Sequence, residues 1–265
     1  MDESDRLVNS EAFVITQMDY GEADRLYTIF TRSKGKIKAF ARGVRKSKSR
    51  KAGHLQPVSL INLMLAKGQS FWVITQADTV EPYEAIKNDL PKTANAFYIF
   101  ELVNRFAPED EPVLPLFNLV KETMTRINDE DDLFMVNKYF ELKLLKITGY
   151  MPNLSTCIQC GEAILPQDQY FSAAQGGILC PRCGTPHPEV RKISMLALKY
   201  LRFIQRSSYH ELGKAQLSQV VKDEMNSIML YYLTYINEKA FNTPFFIHQL
   251  EANDSNKRKN NEPGK

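Results

Sequence analysis

Residues 25–43, RLYTIFTRSKGKIKAFARG, decide the fold of the amino-terminal part of this chain. On both sides of residues 32–35, β-branched and aromatic side chains alternate with polar ones, a pattern typical of half-buried strands. Gly35 can adopt a positive φ angle at little cost, as a tight turn often requires. The stretch therefore predicts a β-hairpin whose second strand is unusually basic.

Further alternating segments lie on either side of this hairpin. Five candidate strands suit a small barrel, and the oligonucleotide-binding (OB) barrel is one such architecture. Residues 44–56 would form its long connecting loop. The predicted strands span residues 12–17, 25–31, 36–43, 58–66 and 71–77.

After Glu81 the apolar residues recur at helical spacing, as in the stripe Ala94, Phe97, Tyr98, Leu102 and Phe106. The fold class predicted is multidomain α+β: a five-stranded OB-type β-barrel, then a mainly α-helical carboxy-terminal domain with an inserted four-cysteine zinc module. The last segment has almost no apolar residues and predicts a disordered tail. Further helices are predicted over residues 116–127, 133–148, 195–206 and 218–240, and domains over residues 1–80 (barrel), 81–250 (helical), 149–192 (zinc module) and 251–265 (tail).

The positive charge of the chain is concentrated in the barrel sequence. Residues 25–77 contain 12 Lys or Arg and no Asp or Glu, whereas the whole chain has a net charge of only +3. Concentrated positive charge attracts polyanions, and salt screens that attraction. A nucleic acid is therefore the predicted partner of the barrel.

The third strand and the loop after it supply the candidate binding residues. Strand alternation places Ile37, Ala39 and Ala41 on one face and a ring, Phe40, among cations on the other. Cations follow phosphates while a ring can stack on a base; a β-bulge would instead turn Phe40 into the core. A solvated loop and a nuclear-import signal are other interpretations of the charge run. The candidate nucleic-acid-binding residues are Lys36, Lys38, Arg42, Arg45, Lys46, Lys48, Arg50 and Lys51.

Four cysteines form two Cys-x-x-Cys pairs, Cys157 with Cys160 and Cys180 with Cys183, separated by 19 residues. Two such knuckles complete a tetrahedron of thiolates around one zinc ion, and a site without an open position favours a structural role. A redox pair and four unrelated thiols are weaker interpretations. Spacing alone does not exclude iron. The predicted cofactor is one structural zinc ion.

Signatures of common enzymes are missing from the chain. It contains no G-x-x-x-x-G-K-[ST] loop, H-E-x-x-H helix or G-x-S-x-G elbow, so we predict a non-catalytic protein. No apolar run approaches the ~20 residues of a membrane span, and the first ten residues are polar. We expect no membrane association and a cytoplasmic, nucleoid-associated location. Carboxylates gathered in space by the fold, as in a two-metal nuclease, stay an open alternative.

Three segments together resemble one family, the bacterial recombination mediator RecO. They are YGEADRLYTIFT at residues 20–31 followed by GKI at 35–37, ARGVRKSKS at 41–49, and GYMP at 149–152 leading into the cysteines. Phe171-Ser172 and Gly176-Gly177 also resemble the zinc module of that family. The resemblance spans most of the chain.

The resemblance implies an OB domain, a helical domain with an inserted zinc module, and a role in DNA repair by homologous recombination. Family members bind single- and double-stranded DNA, anneal complementary strands and act with RecR to load RecA on strands coated by single-strand-binding protein, whose carboxy-terminal tail they contact. Some members lack the cysteines, which supports a structural role for zinc. A zinc-containing RNA-binding or ribosome-associated factor is the alternative, and a metal-dependent nuclease subunit comes third.

Overall fold

The computed structural model of the chain describes residues 7–186, 188–213, 217–239, 241, 243, 244, 247 and 250. Packing divides the chain into two compact units, Met1–Leu133 with Asn242–Lys265, and Phe134–Phe241. The domain bounds predicted above separate the strands from the helices and do not coincide with these two units. They stay predictions. The predicted tail, residues 251–265, lies outside the described residues.

Within the described part of the first unit, five strands close into a barrel in the order β1-β2-β3-β5-β4. Neighbouring strands are antiparallel except β3 and β5, which pair in parallel. The predicted five-stranded OB-type barrel is confirmed. The strands are β1 (Leu7–Tyr20), β2 (Asp24–Thr31), β3 (Gly35–Ala41), β4 (Leu60–Ala66) and β5 (Trp72–Glu81).

Strand β1 is much longer than the alternation of its sequence predicts, because it closes the barrel by pairing with both β2 and β4. A register shift between Val14 and Thr16 marks a bulge, which bends the strand. Ala12 and Val14 lie in the barrel core. Phe13 is buried as well, since its ring lies 5.8 Å from that of Phe100. Helices cover the outside of β1, so both of its faces are apolar here.

The predicted hairpin between β2 and β3 is confirmed, with Thr31 opposite Gly35. Thr31 Oγ1 accepts a hydrogen bond from the Lys34 N–H and donates one to the Gly35 carbonyl, which closes the turn. Gly35 has φ +68°, and a Cβ atom there would lie 1.9 Å from the Glu111 carbonyl oxygen. Only glycine satisfies both constraints.

Three helices follow the barrel in the first unit: α1 (Glu84–Asn88), α2 (Leu90–Phe106) and α3 (Leu114–Asp129). The Asp89 carboxylate caps α2 by accepting the Lys92 N–H at 2.7 Å. On α3, the ring of Phe117 lies 5.7 Å from Phe30 of the barrel. The predicted helix over 116–127 is confirmed within α3, while the short α1 has too few residues for a visible periodic pattern.

The second unit combines helices with a small antiparallel sheet of order β7-β6-β8. Phe171 joins the sheet to a helix, since its ring meets that of Tyr232 at 5.3 Å. The helices predicted over 133–148, 195–206 and 218–240 are confirmed to within three residues. The strands of the sheet are too short to show an alternating pattern in the sequence. In chain order the elements are α4 (Leu133–Ile147), β6 (Gln169–Ser172), β7 (Gly177–Leu179), α5 (Pro181–Gly184), β8 (Arg191–Ile193), α6 (Met195–Arg206) and α7 (Gln219–Asn237).

Candidate nucleic-acid surface and metal centre

The four cysteines converge in the second unit. Their Sγ atoms all lie within 4.8 Å of one another, and Cys160 and Cys180 have their sulfurs 4.0 Å apart. Zinc–sulfur bonds of ~2.3 Å require tetrahedral sulfur–sulfur edges of roughly 3.8 Å. All four thiols are free of disulfide bonds. The residues present therefore fit a four-thiolate metal ion.

Backbone hydrogen bonds shape the first knuckle around Cys157. Its N–H donates to the Glu162 carbonyl and its carbonyl accepts the Gly161 N–H, both at 2.8 Å. Gly161 has φ +77°, the left-handed conformation that turns the chain back. Around the sulfurs, the apolar core contains only a few side chains, among them Leu179. So small a core stabilises little, and two of its three buried residues are the cysteines Cys157 and Cys183.

Burial and hydrogen bonds shift the pKa values of two of the thiols in opposite directions. Burial raises the pKa of the Cys157 thiol, but N–H groups of Cys160, Cys180 and Gln159 point at the sulfur, and together they lower the pKa to about 6. Burial and hydrogen bonds to the other cysteines raise the pKa of Cys183 to about 12. The thiolate is the form that binds metal. Cys157 is therefore a ready ligand at neutral pH.

On the barrel, strand β3 has the predicted alternation. Ile37, Ala39 and Ala41 lie in the core, whereas Lys38 and Arg42 are exposed. Phe40 is half-buried on the outer surface, so the alternative in which a bulge turns it inward is wrong.

Lys36 lies on the same strand face but is covered. It is 8% exposed, and its ammonium donates to the Asn104 carbonyl at 2.6 Å. Burial lowers the pKa of this lysine. Lys51 is half-buried, and its ammonium donates to the Ile74 carbonyl at 2.9 Å. Both ammonium groups donate hydrogen bonds to backbone carbonyls. The structure therefore does not place these two lysines with the exposed cations.

The long loop begins in a defined position. The Asp24 carboxylate accepts the Gly43 N–H at 2.7 Å, and the Arg45 N–H donates to the Ala23 carbonyl at 2.9 Å. Val44 and Leu55 are buried in the barrel core at its two ends. The loop therefore presents its exposed cations from a fixed base. These are Arg45, Lys46, Lys48 and Arg50.

Strand register adds two rings that the sequence patterns miss. Tyr20 meets Phe40 edge to face with centroids 4.8 Å apart, and the centroid of the Phe71 ring lies 5.6 Å from that of Phe40. Tyr20 is 56% exposed and Phe71 36%. We call this surface the basic face. It consists of Lys38, Arg42, Arg45, Lys46, Lys48 and Arg50 with the rings of Tyr20, Phe40 and Phe71.

Among the helices in the described part of the chain, none has both the length and the apolar character that a membrane span requires. A closed OB-type barrel with a basic face, followed by helices and a four-cysteine cluster, defines the class of protein: an OB-fold protein with a candidate metal centre.

Comparison with known proteins gives the family. The model of the recombination protein O amino-terminal domain matches residues 4–83, and that of the carboxy-terminal domain matches residues 87–243. A DNA repair protein RecO of Thermoanaerobacter sp. (strain X514) is 31% identical over 248 residues, 93% of this chain and 99% of that protein. One of Roseiflexus sp. (strain RS-1) is 34% identical over 235 residues, 89% of this chain and 83% of that protein. The chain belongs to the RecO family, which implies a role in DNA repair and recombination.

Proposed function

We propose that this protein is a recombination mediator that binds single- and double-stranded DNA on its basic face and anneals complementary strands without ATP. Together with RecR it would assist the loading of RecA on strands coated by single-strand-binding protein. The single observation that supports this most is the combination of exposed cations with a strip of three touching rings on an OB barrel. Cations bind the phosphates of either form of DNA, while rings stack on exposed bases.

Annealing requires no catalytic residue. Two strands repel each other through their phosphates, and a cationic surface both lowers that repulsion and raises the local concentration of strands. The cations Lys46, Lys48 and Arg50 are exposed in one loop whose base is fixed by Asp24. A non-enzymatic mechanism follows from this chemistry.

The four cysteines would hold one zinc ion in a structural role. The proposal rests on four sulfurs within 4.8 Å of one another and on a knuckle whose N–H groups favour the thiolate of Cys157. A metal bound there stabilises the module, because binding energy at such a site is folding energy.

RecR and the carboxy-terminal tail of single-strand-binding protein are the proposed protein partners, and both follow from membership of the family. The experiment is strand annealing on DNA coated with the cognate single-strand-binding protein, with and without RecR, and without nucleotide. The proposal expects annealing above the protein-free rate on coated strands. Annealing no faster than the protein-free control, on bare and coated strands alike, would refute it.

A further inference from the structure

A groove of about 350 Å³ adjoins the basic face in the first unit. Strands β2 and β3 contribute Thr28 and Lys38 to its lining, and the loop between β4 and β5 contributes residues 67–71. Small-molecule pockets begin at about 300 Å³, so the groove has room for one nucleotide rather than a stretch of strand.

The groove contains the one tryptophan of the sequence. Trp72 is partly exposed at the start of β5, opposite Ala39 of β3. The ammonium of Lys34 lies 5.7 Å from its ring centroid. An indole next to cations is a surface on which a nucleobase can stack. Lys38 and Lys67 are exposed in the same lining, within reach of a flanking phosphate.

Two carboxylates in the lining decide which part of a nucleotide belongs there. Glu109 and Asp110 face the groove, and their segment is fixed to β3 because the Asp110 N–H donates to the Lys36 carbonyl at 2.9 Å. Carboxylates repel a phosphate, but they accept hydrogen bonds from the amino groups of bases. A lining of an indole, lysines and carboxylates suits a nucleotide whose base lies in the groove and whose phosphate lies outside it. The same lining does not suit a phosphate alone.

We propose that this groove binds one unpaired nucleobase of a DNA strand against Trp72, with neighbouring phosphates at Lys38 and Lys67. The inference rests on the proposed DNA-binding function and adds a site that distinguishes single strands from duplex. In duplex DNA both faces of a base are stacked and its pairing edge is occupied, so the base enters only if it is first flipped out of the stack at the cost of unpairing and unstacking. Phosphate contacts by the basic loop do not make this distinction.

Trp72 reports on its own site, because no other tryptophan contributes fluorescence. The full-length protein is titrated with three probes: a cytosine single strand of about 12 nucleotides, within the range of one OB barrel, a blunt-ended duplex of similar length without a nucleotide loop, and deoxycytidine monophosphate. Fluorescence anisotropy of labelled DNA measures binding in parallel. We expect the single strand to quench Trp72 as it binds, and the duplex to bind without quenching.

Two substitutions extend the test. Lys67→Glu changes an exposed loop side chain, and we expect it to weaken single-strand binding about fivefold or more while duplex binding changes less. Lys199→Glu, an exposed lysine of the second unit, is the matched control and should leave both affinities unchanged. Trp72 packs partly against the barrel core, so its replacement would also change the stability of the barrel. The test therefore keeps Trp72 and changes Lys67 instead.

The outcomes separate this inference from the proposed function. Single-strand binding by anisotropy without any quenching, or equal quenching by duplex, overturns the groove proposal and leaves DNA binding intact. Quenching by the free mononucleotide over the same concentration range as the strand indicates a nucleotide site and overturns a strand site. Absence of DNA binding by anisotropy overturns both.

Discussion

The ring of Tyr20, at the end of β1, packs edge to face on the ring of Phe40 in β3, with centroids 4.8 Å apart. The two residues are 20 positions apart in the sequence, and strand pairing through β2 brings them together. Both rings lie on the outer surface, and Phe40 alternates along the chain with the exposed Lys38 and Arg42. A strip of this kind has the chemistry of a base-stacking platform.

Replacement of Tyr20 by alanine should weaken single-strand binding. Base–aromatic stacking is worth ~1–3 kcal/mol per base, so we expect Kd to rise about fivefold or more. Fluorescence anisotropy with a labelled single strand measures the change. The control is Tyr235→Ala, since Tyr235 is 51% exposed on α7 of the second unit. Equal affinities of the wild type and Tyr20→Ala would exclude this ring from the DNA surface.

Two lysines of β3 should have opposite phenotypes. Lys36 is buried and bonded to the Asn104 carbonyl, so Lys36→Ala should lower the free energy of unfolding by about 1–3 kcal/mol. Lys38 is exposed, so Lys38→Ala should weaken DNA binding and leave stability within about 0.5 kcal/mol. Urea denaturation and anisotropy measure the two effects. If Lys36→Ala weakened DNA binding as much as Lys38→Ala at unchanged stability, the structural role given to Lys36 would be wrong.

The salt dependence of DNA binding should show how many phosphate contacts the loop makes. Each contact with a single strand contributes about −0.7 to the slope of log K against log salt concentration. The triple variant Lys46→Glu, Lys48→Glu, Arg50→Glu should therefore make the slope less steep by about 2. Its control reverses three exposed lysines of the second unit, Lys146, Lys192 and Lys199. A slope that stays the same in the loop variant would show that these side chains do not bind phosphate.

Metal removal should destabilise the second unit. We expect one zinc ion per chain by mass spectrometry, and a chelator should lower the thermal midpoint in a way that added zinc reverses. Cys180→Ser, which leaves three thiolates, should have the same effect in the absence of chelator. Fully folded protein with far less than one zinc ion per chain, stable in chelator, would contradict the structural role.

The pattern of neighbouring residues along the chain was sufficient to predict individual strands and helices. The alternation of residues 36–42 correctly placed Ile37, Ala39 and Ala41 inside the barrel, and the helices predicted over 133–148, 195–206 and 218–240 match α4, α6 and α7 to within three residues. The spacing within each cysteine pair predicted a knuckle because that turn is local, and the second matched pair predicted that the two knuckles share one ion. These features depend on neighbours within a few residues.

Features that depend on distant neighbours could not be predicted. Alternation puts Lys36 on the outer face of β3, but only the fold shows that Asn104 covers it, 68 residues away. The ring of Tyr20 joins Phe40 through strand register and that of Phe71 joins it from the loop before β5, and one sequence specifies neither contact. The groove at Trp72 also needs Glu109, which lies far along the chain between α2 and α3.

The central claim is that the basic face is the surface that brings DNA strands together. The most direct test is the initial rate at which labelled complementary oligonucleotides anneal without ATP, for the wild type and for the variant Arg45→Glu, Lys46→Glu, Lys48→Glu, Arg50→Glu. Circular dichroism and the thermal midpoint verify that the variant is folded. We predict that the wild type anneals the strands well above the protein-free rate and that the variant anneals them at the protein-free rate. A folded variant that anneals as fast as the wild type would contradict the claim.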